Sequence, residues 1–232
     1  MIHQQGIVKG DAFQKIGSAG FLIAVVLIIV GLTWVTTVDL SNPGVALARM
    51  SSQIIVFQTV SLLMTFGWWA VLIGAAAVRR SITASGAAWA NMGFYFMIVG
   101  TALWTMGMSL DITYSVLIDN WLAAPAASKE LAHNLVTTLF PPGAGFGRGL
   151  FPLIVIANWL AFAFLGTAMA LSAVYPRWLG WLGLILGIIG ILVGIVMTYI
   201  GREAIFMPFT VLAFATILWF LMSGVWMARR VW

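Results

Sequence analysis

Six apolar runs, each long enough to cross a bilayer, govern what this chain can fold into. They cover approximately residues 16–37, 54–78, 87–110, 150–174, 179–200 and 205–227. A transmembrane helix needs about 20 such residues. Open strands would leave backbone N–H and C=O groups unpaired in lipid, so the runs are read as helices. Only 7% of the residues are charged and 62% are hydrophobic, where soluble domains carry about 25% charged residues. The expected fold class is an all-α integral membrane protein. It is a six-transmembrane-helix bundle forming a single polytopic membrane domain over residues 1–232. The first run is too long for a cleaved signal peptide, and no A-x-A site follows it before Asp39.

Charge sets the orientation. The formal net charge of +5 does not point to nucleic acid, because the bases sit in small groups at the ends of the apolar runs. With the N-terminus in the cytoplasm, Lys9, Lys15, Arg79, Arg80, Arg177, Arg229 and Arg230 lie inside, with Asp11 as their only acid. Arg49, Lys129, Arg148 and Arg202 lie outside, with Asp39, Asp111, Asp119, Glu130 and Glu203. The excess of Lys and Arg on one side favours N-in and C-in. The expected location is a bacterial plasma (inner) membrane, multi-pass, with both termini cytoplasmic.

One connection is long, from Asp111 to Gly149. Within it AASKELAHNLVTTLF has a helical pattern. Leu131, Leu135, Val136 and Leu139 share a face opposite Lys129 and Glu130, and Ser128 is placed as N-cap. This predicts a short amphipathic helix, either lying on the outer membrane surface or packed over the ends of the bundle. The stretch FPPGAGFGRGLFP that follows reads as an irregular re-entry turn.

The fifth run contains WLGWLGLILGIIGILVG, residues 178–194. Its glycines are Gly180, Gly183, Gly187, Gly190 and Gly194, and Gly201 lies seven residues further on. Spacings of 3 and 4 keep them on one face of the helix. Lipid tails give helices no hydrophobic drive to associate, so close van der Waals contact does the work, and glycine lets two backbones approach. This row is a helix-packing or partner seam. It receives span four or six of the same chain, another subunit, or the tail of a lipid, quinone or pigment. The opposite face, with Leu184, Ile185, Ile188 and Leu192, suits lipid or a second partner.

Chemistry is sparse. There are no cysteines, which excludes disulfides, thiolate metal sites, iron–sulfur clusters and thiol catalysis. No ionisable side chain lies near the centre of a run, so an ion-driven pump is not expected. The deepest polar groups are Asn91 and Asn158, more suited to gluing helices than to binding substrate. His3 and His133 are the only histidines and both fall in loops, which argues against a bis-histidine haem. Glu130 and His133 form a single E-x-x-H pair, whereas di-iron bundles use two with further carboxylates. Met106 and Met108 are a weak soft-ligand pair. No nucleophile elbow or P-loop is present.

The segment YPRWLGWLGLILG, residues 175–187, resembles the start of the fifth span in a family of small six-span bacterial membrane proteins catalogued as a domain of unknown function. The length, the basic pair Arg79 and Arg80, and the long third-to-fourth loop are similar in layout. The resemblance implies the six-span fold. It transfers no catalytic residue.

Three functions follow as expectations. The first is a non-catalytic integral membrane subunit, a scaffold or accessory component of a larger membrane protein complex. The second is a binder or carrier of a hydrophobic small molecule: lipid, quinone or pigment. The third is an enzyme or metal-site subunit using an outer polar cluster of Asp111, Glu130, His133, Arg148, Arg202 and Glu203. Expected partners are the bilayer and other membrane subunits. No cofactor beyond a bound lipid, quinone or pigment is expected, and no nucleic acid.

Overall fold

Each apolar run becomes a helix in the computed structural model, which describes residues 11–37, 43–139, 149–201 and 203–232. The six spans are α1 (Ala12–Val35), α3 (Ile54–Ser81), α4 (Ala87–Ala123), α6 (Phe151–Leu171), α7 (Arg177–Ile200) and α8 (Phe206–Val231). Two shorter helices, α2 (Pro43–Ser52) and α5 (Ala126–Leu139), join them at one end. The protein is a multi-pass, all-helical membrane protein. α1 starts where its sequence permits: the Asp11 carboxylate accepts from the N–H groups of Phe13 and Gln14, at 2.8 and 3.3 Å.

The spans form a closed ring in chain order. α1 packs on α3, α3 on α4, α4 on α6, α6 on α7, and α8 closes the ring against α7 and α1. Small residues set the closest seams. On α1, Gly17 faces Ala77 of α3, and Gly20 faces the Ala70 carbonyl. The seam between α7 and α8 is the loosest of the ring.

Alternation of direction brings the start of α1 together with the ends of α3 and α8. Arg80 pairs with Asp11 at 3.7 Å and lies over the Phe13 ring, and Lys15 lies over Trp232. Arg79 donates to the Asn91 carboxamide oxygen at 2.6 Å. Lys15, Arg79, Arg80, Arg177, Arg229 and Arg230 all lie at helix ends on this one face of the bundle.

α4 departs from expectation. The apolar run ends at residue 110, yet the helix continues to Ala123, 37 residues in all. At 1.5 Å per residue it is about 55 Å long, against about 30 Å of hydrocarbon. The extension DITYSVLIDNWLA is polar enough to read as loop, but its apolar side is covered. Tyr114 and Ile118 are buried with Ala46, Leu47 and Met50 of α2, Phe57 of α3 and Val136 of α5 in a small second core. α5 turns back along this extension. The Tyr114 hydroxyl donates to the Val136 carbonyl at 3.4 Å, and His133 packs on the Trp121 ring. The Lys129 ammonium donates to the Leu122 carbonyl at 2.8 Å, satisfying a terminal acceptor of α4.

Thus the connecting helix packs against α4 at the end of the bundle. Ser128 is not its N-cap. The helix begins two residues earlier, after Pro125, and the Ser128 hydroxyl donates to the Pro125 carbonyl. Of the expected apolar face only Val136 is buried; Leu131 and Leu135 are exposed, and the Leu139 side chain lies outside the described residues.

Candidate functional site

The glycine row faces the helix before it. In antiparallel register Gly180 lies against Ala170, Gly187 against Ala163, and Gly194 against Val155 and Ile156 of α6. A methyl group on Gly187 would sit 2.6 Å from the Cα of Ala163. Gly190 makes room for the pyrrole edge of Trp159, and Gly183 for the benzo edge of Trp219 on α8. Gly166 of α6 answers from the other side, against the backbone of Gly180 and Gly183. Sequence reading passed over this partner row. Ala163, Gly166 and Ala170 repeat the same 3,4 spacing of small residues, which was the signal available. Gly201 ends α7 with φ 86°, a left-handed conformation that favours glycine. The opposite flank of α7, with Ile185, Ile188 and Leu192, is exposed.

The segment 175–187 is a packing element. Tyr175 is buried, and its hydroxyl shares a 2.9 Å hydrogen bond with Ser81 at the end of α3. Burial pushes the Tyr175 phenol above its ordinary range, and the Ser81 hydrogen bond opposes that shift. The Leu179 carbonyl accepts from the Trp219 indole at 2.9 Å. Its glycines form the seam just described.

Of the outer polar cluster, Asp111, Glu130 and His133 have described side chains, and these three do not come together. Asp111 is half-buried on α4, whereas Glu130 and His133 are exposed on α5. His133 packs at Trp121, ten residues and about 15 Å along α4 from Asp111. Among the described residues no three His, Asp or Glu side chains come together. Arg148, Arg202 and the Glu203 side chain lie outside the described residues. Met106 and Met108 point different ways: Met106 is exposed and Met108 buried, as i, i+2 spacing on a helix dictates.

The middle of the ring is filled with aromatic rings that sequence spacing did not single out. Trp68 of α3 lies 4.9 Å from Trp104 of α4 and 6.1 Å from Phe162 of α6, between centroids. Phe162 meets Phe220 of α8 at 5.2 Å, and Phe220 stacks on Phe21 of α1 at 5.8 Å. Five spans therefore meet in one aromatic layer. The indole N–H groups of Trp68, Trp104 and Trp159 are sealed inside it without a hydrogen-bond partner among the described residues. Asn158 is also fully buried. Its amide donates back to Ile154 of its own helix, and its carboxamide occupies the slot left by Gly100.

Above this layer, toward the C-terminal end of α1, the ring opens into a cavity of about 90 Å³. Ile28 and Leu32, Met64, Met108, Phe151 and Phe209 are among its walls, with Trp68, Trp104 and Trp159 at its base. Two hydroxyls line it, Ser61 and Thr216, but each donates to a carbonyl of its own helix, so the walls act as apolar. Asp111 is the only ionisable side chain among the described residues that line it. One water-sized probe needs about 10–15 Å³. The space is large enough for a ring or a short length of chain.

Comparisons with models of protein families, with curated proteins and with solved structures find no match for this chain. What the fold and site define is a class: a six-span membrane protein whose helices ring an aromatic layer and an apolar cavity.

Proposed function

We propose that the protein binds or carries a hydrophobic small molecule, of the lipid, quinone or pigment class, in the cavity above the aromatic layer. The observation that carries this reading is the cavity itself. It is enclosed mostly by apolar and aromatic side chains from α1, α3, α4, α6 and α8, with the Trp68, Trp104 and Trp159 indoles at its base and Asp111 as its one ionisable group among the described residues. A well-packed bundle interior leaves few voids larger than a water molecule. An apolar opening of this size is suited to an apolar occupant. The reading places the protein in a bacterial plasma membrane with both termini cytoplasmic, supported by the basic helix ends gathered on one face. The cavity then opens toward the outer face.

Binding is tested with a short-chain quinone titrated into the protein in lipid nanodiscs, read by tryptophan fluorescence. Saturable quenching is expected, because Trp68, Trp104 and Trp159 line the site. Ala213→Phe fills the cavity from α8 and should weaken the affinity at least about tenfold. Quenching that does not saturate, or that Ala213→Phe leaves unchanged, contradicts the reading.

A second reading keeps a specific observation. Leu122, Leu131 and Leu135 are exposed on the helical hairpin that α4 and α5 raise beyond the span. Apolar side chains gathered outside the bilayer suit contact with another subunit. This is the accessory-subunit function, which no longer draws support from the glycine seam, since α6 and α8 lie against it. Native purification distinguishes the two: a polypeptide held at fixed stoichiometry favours the subunit.

A further inference from the structure

The loosest seam of the ring leaves a groove of about 320 Å³ between α7 and α8, at the basic face. Its walls are Leu179, Leu221, Met222 and Val225, with Trp178 and Trp226 at the rim. Arg229 closes its end. The groove is held open on purpose-built supports. Trp226 donates to the Val174 carbonyl at 3.3 Å and carries Arg230 over its outer face at 4.8 Å, so its ring is fixed from both sides. Trp178 is exposed beside it, at the depth where indoles favour the membrane interface.

The charge at this end is unbalanced. Arg229 in the last turn of α8 and Arg177 at the first position of α7 are both exposed, and neither has an acidic partner among the described residues. The N-terminus of α7 is capped by Pro176, which offers no side-chain acceptor, so its first-turn N–H groups add partial positive charge. Basic residue, uncapped helix start and apolar slot thus converge at one interface.

We propose that this groove binds one anionic phospholipid from the leaflet at the basic face. An acyl chain lies along Leu221, Met222 and Val225, and the phosphate lies beside Arg229 and the start of α7. The occupant is a membrane lipid and not free phosphate, because the apolar slot makes up most of the site. Arginine suits this role through its planar fork of donors, which matches phosphate oxygens. The inference is independent of the central cavity, which opens at the other end of the bundle.

The test uses the full chain in mixed micelles of phosphatidylglycerol and phosphatidylcholine, with retained lipid counted by native mass spectrometry. Retention of one phosphatidylglycerol is expected at about fivefold preference, the effect of one arginine near a membrane surface. Arg229→Gln should bring that preference near unity without changing the melting temperature, since the side chain is exposed. Val225→Phe narrows the slot without altering charge and should reduce retention of both lipids. Equal retention of the two lipids by the wild-type chain overturns the proposal, as does a preference that survives Arg229→Gln. Unchanged retention in Val225→Phe overturns the groove as the site.

Discussion

Gly187→Ala is the sharpest perturbation of the seam that holds α6 and α7 together. The added methyl would lie 2.6 Å from the Ala163 Cα, and nearer still to its amide nitrogen. Carbon atoms rest about 3.5–4.0 Å apart, so the two helices must part locally by about 1 Å. Backbone cannot rotate away as a side chain can. A gap of that size forfeits about a quarter to a half of each nearby van der Waals contact, and overpacking of this kind costs about 1–3 kcal/mol. Alanine recovers about 0.5–1 kcal/mol through its better helix entropy. The net loss is about 1–2 kcal/mol. In a chain of this size that lowers the melting temperature by about 2–8 °C. The assay is thermal unfolding in mild detergent, followed by intrinsic tryptophan fluorescence. Gly224→Ala is the control. Its methyl would meet the Phe21 Cβ at 3.0 Å and the tip of Leu22 at 3.2 Å, less close than the Ala163 backbone and needing a shift of only a few tenths of an ångström, so its change should be the smaller of the two. Adding Ala163→Gly to Gly187→Ala should restore only part of the loss, because the Ala163 backbone remains in the way. A Gly187→Ala protein that melts with the wild type would refute close backbone contact as the basis of the seam.

Other consequences follow from single contacts. Trp219→Phe removes the 2.9 Å hydrogen bond to the Leu179 carbonyl between α8 and α7 and should cost about 1 kcal/mol in the same melting assay. The Tyr175 phenol is raised by burial in the folded protein, so the folded state keeps its proton where the unfolded chain loses it. Its contribution is fully present below the ordinary tyrosine value of 10.0 and is lost as pH rises above it. Tyr175→Phe should make the alkaline decline shallower in an unfolding series from pH 8 to 11. Because the chain has no cysteine, Ser85→Cys and Ser128→Cys report topology by labelling with an impermeant maleimide in intact cells. Ser128→Cys should label and Ser85→Cys should not; the reverse pattern contradicts the N-in orientation.

The spans were legible because hydrocarbon demands length and apolarity together, and residues 16–37 or 179–200 have both. The end of α4 was not. Asp111, Asp119 and Asn120 break the apolar run, and hydropathy alone cannot tell a loop from a helix whose apolar side is buried by neighbours, as Tyr114 and Ile118 are. The glycine row announced a close seam, but its partner had to be found in the 3,4 spacing of Ala163, Gly166 and Ala170. The cavity had no sequence signature at all. Its walls come from five spans, so Ile28, Met64, Met108 and Phe209 are neighbours only once the ring closes. Asp111 and His133, assigned to one membrane side, lie about ten residues apart along α4, because the helix runs on past Asp111 to meet His133 at Trp121.

The most direct test of the central proposal is the content of the purified protein. The chain is isolated in mild detergent from native membranes, extracted with organic solvent, and compared by mass spectrometry with Ala213→Phe prepared in parallel. About one apolar molecule per wild-type chain, and little in Ala213→Phe, is the result expected of a filled cavity. The same bulk-lipid background in both preparations would contradict it.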